Sequence, residues 1–206
     1  MSYIDDIHRI DNLTINEIIR ISNKYVPNRY KLEPWRYMDG QGRTLEHGTA
    51  VLETEEQCCA YMSAYGPMHR HKLMRALDEK EFPYSDLTGG IEIYDWGCGQ
   101  GTASICLLDF LRSKNIAHKT VAINLIDPSA PATQRAREVL SCYEKDARVN
   151  VINKVFDDLD EQDFVRSNSR KLHLFSNILD VDAFDLAQFT HLFQKSFFGS
   201  NYFVCV

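Results

Sequence analysis

One stretch of the chain constrains its fold and its chemistry more than any other, and it runs Ile91-Glu92-Ile93-Tyr94-Asp95-Trp96-Gly97-Cys98-Gly99-Gln100-Gly101-Thr102. An apolar strand ends there in an acidic residue, three glycines follow, and a helix begins. Glycines permit a tight turn and let a ligand approach the backbone, while the first turn of a helix offers unpaired N–H groups and a positive dipole end. The stretch therefore predicts a site for a nucleotide-like ligand.

Strands and helices alternate from this stretch onward. The predicted strands are Ile91–Asp95, Thr120–Asp127, Val149–Phe156, Lys171–Asn177 and Asn201–Val206. The predicted helices are Thr102–Lys114, Ala130–Tyr143 and Asp182–Phe198, and in the last of these we expect one apolar face to meet the sheet, made of Leu186, Phe189, Phe193 and Phe197. Apolar runs of strand length are typical of strands buried on both faces of a parallel sheet. The pattern predicts the α/β class with a doubly wound, mostly parallel sheet.

The part before residue 90 has a helical pattern. Thr14-Ile15-Asn16-Glu17 and Thr54-Glu55-Glu56-Gln57 are capping boxes, each of which predicts the start of a helix. The second helix is expected to run to Tyr65 and stop at Gly66, with Pro67 opening another helix. Between the two boxes, the polar, glycine-rich residues 34–48 predict a loop. We therefore divide the chain into a helical N-terminal region, residues 1–88, and an α/β region, residues 91–206.

Composition excludes several classes of protein. The chain has 206 residues, of which 44% are hydrophobic and 25% charged, and this excludes disordered and fibrous chains. Its six cysteines have no Cys-x-x-Cys or paired Cys/His spacing, so we interpret them as reduced thiols and expect no metal site. The net charge of −6 does not indicate nucleic-acid binding by the whole domain. With neither a secretory leader nor an apolar run of membrane-spanning length, a cytoplasmic protein without a membrane partner is expected.

The glycine spacing decides which nucleotide-like ligand is favoured. It is Gly-x-Gly-x-Gly, not the Gly-x-Gly-x-x-Gly of dinucleotide sites. Residues 95–101 closely resemble the first motif of the class I S-adenosylmethionine-dependent methyltransferases, and the resemblance covers residues 91–206. It implies a Rossmann-like sheet of order 3-2-1-4-5, incomplete in this chain, and S-adenosylmethionine as cofactor. It also implies cofactor contacts at Asp95, Trp96, Gly97, Cys98, Gly99 and Gly101. No positioned base accompanies Cys98, so we interpret this cysteine as a packing residue and not as a nucleophile.

Two further acidic strand ends extend the resemblance. Asp127 and Pro128 end the second strand where the family holds the ribose, and a carboxylate suits a diol because its two oxygens can accept from both hydroxyls. Asp157, at the end of the third strand, is similar to the acidic residue that contacts the adenine amino group. The residues by themselves leave alternatives open: Asp127 could cap the helix that begins near Ala130, and Asp157 could be a solvated loop residue.

The methyl acceptor is less constrained than the cofactor. Asn177 could accept a hydrogen bond from a substrate amine and Asp180 could act as a base, so these two are the candidate catalytic residues. Alternatively, Asn177 ends its strand and Asp180 or Asp182 caps the last helix. In the N-terminal region the candidates for contacts at the cofactor mouth are Tyr61, Tyr65, His69, His71 and His47, with an ordinary half-buried helix face as the alternative.

Two functions follow from these interpretations. The first is a methyltransferase whose acceptor is RNA or a small molecule, with residues 1–88 as a cofactor lid or a substrate-recognition region. The second is a methyltransferase-like scaffold or binding domain that does not catalyse transfer. The family's sheet normally continues beyond a fifth strand, whereas this chain ends in Asn201-Tyr202-Phe203-Val204-Cys205-Val206. We expect the remainder of a longer chain, or a partner, to cover that edge.

Overall fold

The computed structural model describes residues 2–28, 45, 50–79, 82, 84–179 and 185–206. In chain order its helices and strands are α1 (Tyr3–Ile7), α2 (Ile15–Tyr25), α3 (Glu55–Leu77), β1 (Ile91–Trp96), α4 (Thr102–Ser113), β2 (Thr120–Ile126), α5 (Ala130–Tyr143), β3 (Arg148–Ile152), β4 (Arg170–Phe175), α6 (Leu186–Ser196) and β5 (Asn201–Cys205). Short 3-10 turns occupy Tyr84–Gly89, Phe156–Asp158 and Glu161–Asp163. The predicted alternation of strands and helices is confirmed, although β3 ends earlier than the sequence indicated.

The five strands form one parallel sheet in the order β3-β2-β1-β4-β5, which confirms the predicted α/β architecture. Trp96, the last residue of β1, lies beside Ile126 of β2 on one side and Phe175 of β4 on the other. The loops that follow these three strands therefore leave the sheet side by side. In sheets of this kind, ligands bind in the crevice at the carboxyl ends of the strands, where the strand order reverses.

The N-terminal helices begin where the sequence predicted. The side chains of Thr14 and Thr54 cap α2 and α3. The predicted stop at Gly66 is wrong, because α3 continues through Gly66 and Pro67 to Leu77. A Cβ atom on Gly66 would lie 3.1 Å from Cγ1 of Ile19 in α2, so the glycine permits close helix packing. The packing of α2 on α3 supports a proline inside the helix that isolated propensity would disfavour.

One apolar core joins the N-terminal helices to one face of the sheet. It contains Ile7, Ile18 and Leu73 from the helical region together with Ile93 of β1 and Leu107 of α4. The helices α1, α2 and α3 reach this core by packing on α4 and α5. The helical region therefore covers α4 and α5, and it comes close to the carboxyl edge of the sheet through α3.

The opposite face of the sheet carries an aromatic core beneath α6. It contains Tyr94, Trp96, Phe156, Leu159, Phe164, Phe175, Phe189 and Phe197. The prediction that Leu186 belongs to this face is wrong, because its exposure is 62%. The start of α6 contacts the turn at Asp157, whose carboxylate accepts a hydrogen bond from the N–H of Asp185, so the first turn of α6 lies beside that turn.

The outer edge of β5 has no strand beside it among the described residues. The carbonyl of Ser200 and the N–H of Val206 bond to β4, so by alternation Asn201, Phe203 and Cys205 direct their backbone groups outward. The Phe203 side chain is 53% exposed. Whether further chain or a partner covers this edge stays a prediction.

A buried histidine makes the stability of the aromatic core dependent on pH. Nδ1 of His173 accepts a hydrogen bond from Nε1–H of Trp96 (3.1 Å), and its Nε2 lies 3.0 Å from Oδ1 of Asn201. Burial lowers the pKa of His173 from 6.5 to about 4. As the pH falls, the histidine is therefore protonated in the unfolded state before it is protonated in the folded state. The contribution of the neutral His173 to the free energy of unfolding is present above pH 6.5 and is lost as the pH falls towards 4.

We expect the stability difference between wild type and His173→Gln to shrink on acidification from pH 7 to 4.5, by up to about 3 kcal/mol. Glutamine keeps one acceptor and one donor but does not titrate. The measurement is chemical denaturation across that range. His118→Gln is the control of opposite sign. The hydrogen bond that His118 donates to Glu144 raises the pKa of this histidine, so its contribution to stability is lost as the pH rises. A constant difference for His173→Gln would contradict the account.

Candidate ligand site at the glycine loop

The loop after β1 depends on three glycines in left-handed backbone conformation. Gly97, Gly99 and Gly101 have φ angles of +62°, +49° and +73°. Two hydrogen bonds close the turn, from Cys98 N–H to the Ile126 carbonyl and from Gly101 N–H to the Cys98 carbonyl. Other residues adopt this conformation only at a cost, so the glycines permit the chain to turn from β1 directly into α4.

The three glycines face different surroundings. A Cβ atom on Gly97 would lie 2.8 Å from Cγ1 of Ile178, and one on Gly101 would lie 3.0 Å from Cβ of Ala136. Nothing lies within 4 Å of the corresponding position on Gly99. Gly97 and Gly101 therefore allow close packing of the protein on itself, whereas Gly99 leaves open space for a ligand to approach the backbone.

Asp95, in β1 before the loop, is hydrogen-bonded to the start of α4 after the loop. It is 1% exposed, and its Oδ2 accepts hydrogen bonds from N–H (3.1 Å) and Oγ–H (2.7 Å) of Ser104 in the first turn of α4. Burial raises the pKa of Asp95 to about 7, against the lowering effect of these hydrogen bonds. The carboxyl group thus anchors the helix whose N-terminus borders the site.

The side chains of Trp96 and Cys98 are also turned into the protein. Trp96 is fully buried in the aromatic core, which leaves its backbone at the start of the loop. Cys98 is 6% exposed, and burial raises the pKa of its thiol well above the usual range. A protonated thiol is a poor nucleophile, so the surroundings of Cys98 favour packing.

Asp127 reaches from the end of β2 to the open part of the loop. Its Oδ2 accepts a hydrogen bond from Gly99 N–H (2.9 Å), and its Oδ1 accepts one from Ser129 N–H (2.8 Å). Burial raises the pKa of Asp127, while these two hydrogen bonds lower it. Each oxygen has two lone pairs and one of these partners, so the carboxylate keeps acceptor capacity beside Gly99. The adjacent Pro128 is partly buried.

Asp157 lies in the turn that follows β3, and Asn177 lies in the segment that follows β4. The exposed Asp157 contacts the start of α6, where the N–H of Asp185 donates to its carboxylate and Nε2 of Gln188 donates to its carbonyl. Asn177 follows β4, and the contact of its neighbour Ile178 with Gly97 brings this segment beside the glycine loop. Asp180, Asp182 and His47 lie outside the described residues.

The helix α3 lies over the loop. The buried Gln100, between the second and third glycines, donates from Nε2 to the carbonyl of Cys58 (2.8 Å), and Ser129 donates to the carbonyl of Leu52. Burial raises the pKa of Tyr61, and the negative charge of Asp127 raises it further. The rings of Tyr61, Tyr65 and His69 form one cluster on α3.

Sequence reasoning missed two residues that the structure connects to the site. Gln100 fixes α3 to the loop, and its only local signal was a polar residue between two glycines. Lys72 donates from Nζ to Oδ1 of Asn177 (2.9 Å), 105 residues away in sequence. No local pattern indicates a contact of that separation. Among the described residues no cluster of three or more His, Cys, Asp or Glu side chains could hold a metal ion.

Neither a family model nor a curated protein matches this chain, but solved structures do. The chain is similar to YjhP from E. coli, with 20% identity, 63% of this chain and 44% of that chain covered, and a TM-score of 0.36. The plantazolicin methyltransferase BpumL in complex with SAH is 16% identical, with 88% of this chain and 57% of that chain covered and a TM-score of 0.40. Geranyl diphosphate methyltransferase in complex with GPP and sinefungin is 14% identical, with 96% of this chain and 63% of that chain covered and a TM-score of 0.38.

The chain spans about half the length of the first two of these proteins. At these identities and TM-scores the comparisons carry no argument about the function of this chain. The features of this chain that bear on function are its own residues, first of all those of the glycine loop.

Alanine substitutions should separate the two kinds of glycine in this loop. Gly99→Ala is expected to lower the free energy of unfolding by about 1–2 kcal/mol, the cost of left-handed backbone in a residue with a side chain. Gly101→Ala should cost about 1–3 kcal/mol more, because its methyl group meets Ala136 and Leu140. Urea denaturation measures both values. Equal losses would contradict the difference in packing between the two positions.

Proposed function

We propose that this chain is an S-adenosylmethionine-dependent methyltransferase. The observation that carries the proposal is the open position at Gly99, bordered by a carboxylate that accepts a hydrogen bond from the Gly99 N–H. The matching motif at residues 95–101 and the position at the carboxyl edge of a parallel sheet support the same assignment.

The described residues fit this cofactor. The loop at Gly97, Gly99 and Gly101, which has no side chain at Gly99, would hold the methionine part beside the N-terminus of α4. Asp127, with Pro128 next to it, would accept hydrogen bonds from the ribose hydroxyls through its remaining lone pairs. Asp157 is the proposed partner of the adenine amino group. Asp95 would position the loop through Ser104.

The bound cofactor supplies an electrophilic methyl group on a sulfonium centre. The protein has to align an acceptor with that group and exclude water. The α3 helix serves the second need, because the hydrogen bond from Gln100 to the carbonyl of Cys58 holds this helix over the loop. Asn177 and Asp180 are the proposed acceptor contacts, because the strand that precedes them neighbours β1.

We propose that the protein acts in the cytoplasm. All six of its cysteines are free thiols, as expected in a reducing compartment. Among the described helices, none is both long enough and apolar enough to cross a membrane.

Calorimetric titration with S-adenosylmethionine and S-adenosylhomocysteine tests the cofactor assignment. Asp127→Asn should weaken binding by about 1–3 kcal/mol, because the amide loses the charged acceptor beside Gly99. Asp146→Asn, an exposed substitution in the turn between α5 and β3, is the matched control and should bind as wild type. Absence of binding at millimolar ligand would contradict the proposal, and unchanged affinity in Asp127→Asn would show that the site lies elsewhere.

Transfer of a labelled methyl group separates an enzyme from a binding or scaffold domain. We expect label from S-adenosylmethionine to enter a fraction of small metabolites, and not an RNA fraction, because the chain carries a net charge of −6. Asp127→Asn should reduce that incorporation by about the same factor as it reduces cofactor affinity. Cofactor binding without transfer to either fraction would favour the scaffold function.

A further inference from the structure

The bond between Lys72 and Asn177 places a positive charge at the edge of the proposed acceptor site. Lys72 belongs to α3, and Asn177 follows β4, next to the residue that packs on Gly97. The ammonium group therefore lies where the helical region meets the strand end beside the glycine loop. The inference drawn from this contact rests on the proposed function, since it concerns the acceptor of the same site.

Asn177 is held in a defined orientation. Its backbone is left-handed with φ +55°, and its N–H donates to the carbonyl of Val206. Its Nδ2 donates to Oγ of Ser176 (3.0 Å), and its Oδ1 accepts from Lys72. Asparagine adopts this left-handed conformation more readily than most residues with a side chain, and the three hydrogen bonds hold it here.

These contacts change which ligand the position favours. The amide oxygen of Asn177, which would receive a substrate amine, already accepts from Lys72. The groups left to a ligand are N–H donors: the other ammonium hydrogens of Lys72 and the second amide hydrogen of Asn177. A pair that presents donors binds a group rich in acceptors, and it disfavours an ammonium.

The electrostatic surroundings point the same way. Residues 57–77 of α3 include Arg70, Lys72 and Arg75 and contain no Asp or Glu, although the whole chain has a net charge of −6. In the part of the chain that the structure describes, Lys72 has a neutral amide as its hydrogen-bond partner and no carboxylate in ion-pair contact. Burial and the charge of Lys72 both lower the pKa of His69, one turn away on α3.

We propose that Lys72 selects the methyl acceptor by binding an anionic group of a small molecule, a carboxylate or a phosphate, at the end of β4. The anion accepts from the ammonium hydrogens of Lys72 that the Asn177 amide oxygen leaves free. This contact is favourable because a hydrogen bond with an ionised partner is about twice as strong as one between neutral groups, and the anion adds a direct attraction between opposite charges. Binding there holds the acceptor beside Ile178 and the glycine loop.

The test follows backbone amide shifts in NMR spectra while inorganic phosphate, or in a second arm succinate, is titrated at constant ionic strength. We expect saturable shifts at Asn177 and Ile178 with at least one probe, and the tighter arm distinguishes phosphate from carboxylate. Lys72→Gln should weaken binding by about threefold or more, and Lys72→Arg should preserve it. Lys145→Gln removes the same charge from an exposed position near the start of β3 and should bind as wild type.

Equal affinities in wild type and Lys72→Gln would overturn the proposal. An equal loss in Lys145→Gln would also overturn it, because the effect would then reflect net charge alone. If a short single-stranded RNA bound more tightly than phosphate and succinate, and did so only with Lys72 present, the proposal of a small-molecule acceptor would be overturned in favour of RNA. Titration of S-adenosylhomocysteine into Lys72→Gln keeps the two proposals apart: unchanged affinity is expected, and failure of that ligand to bind even wild type would refute the cofactor assignment instead.

Discussion

The carboxylate of Asp127 connects the parts of the site that come from different strands. One of its oxygens accepts from the glycine loop after β1, and the other accepts from the turn that begins α5. Parallel strands make this possible, because consecutive strands of a βαβ unit bring their carboxyl ends to one edge. The carboxylate both stabilises the loop conformation and borders the open space at Gly99, so the structural and the ligand-binding interpretations of Asp127 are compatible.

The three glycines of the loop have separate physical roles that a motif does not distinguish. Gly97 and Gly101 allow Ile178 and Ala136 to approach the backbone, and they bring the β4 loop and α5 close to the site. Gly99 leaves space. Behind the loop, Asp95 holds the start of α4. The loop is therefore closely packed at Gly97 and Gly101 and open only at Gly99 among its three glycines.

Much of the α/β region could be predicted from sequence, because its signals are local. Apolar runs of strand length, the helical spacing of Phe189 and Phe197, and the capping residues Thr14 and Thr54 all act within a few residues of one another. The errors arose where tertiary contacts outweighed local preference. Gly66 looked like a helix stop, but its lack of a side chain accommodates Ile19 from another helix.

The sequence by itself determined the order of strands and helices and the place of the glycine turn, because hydrophobic periodicity and backbone conformation are properties of short segments. The tertiary structure alone decided that Lys72 meets Asn177, that Gln100 holds α3 over the loop, and that the side chains of Asp95 and Trp96 face inward. Those contacts join residues far apart in the chain, and they arise only when the packed core brings helices and strand ends together.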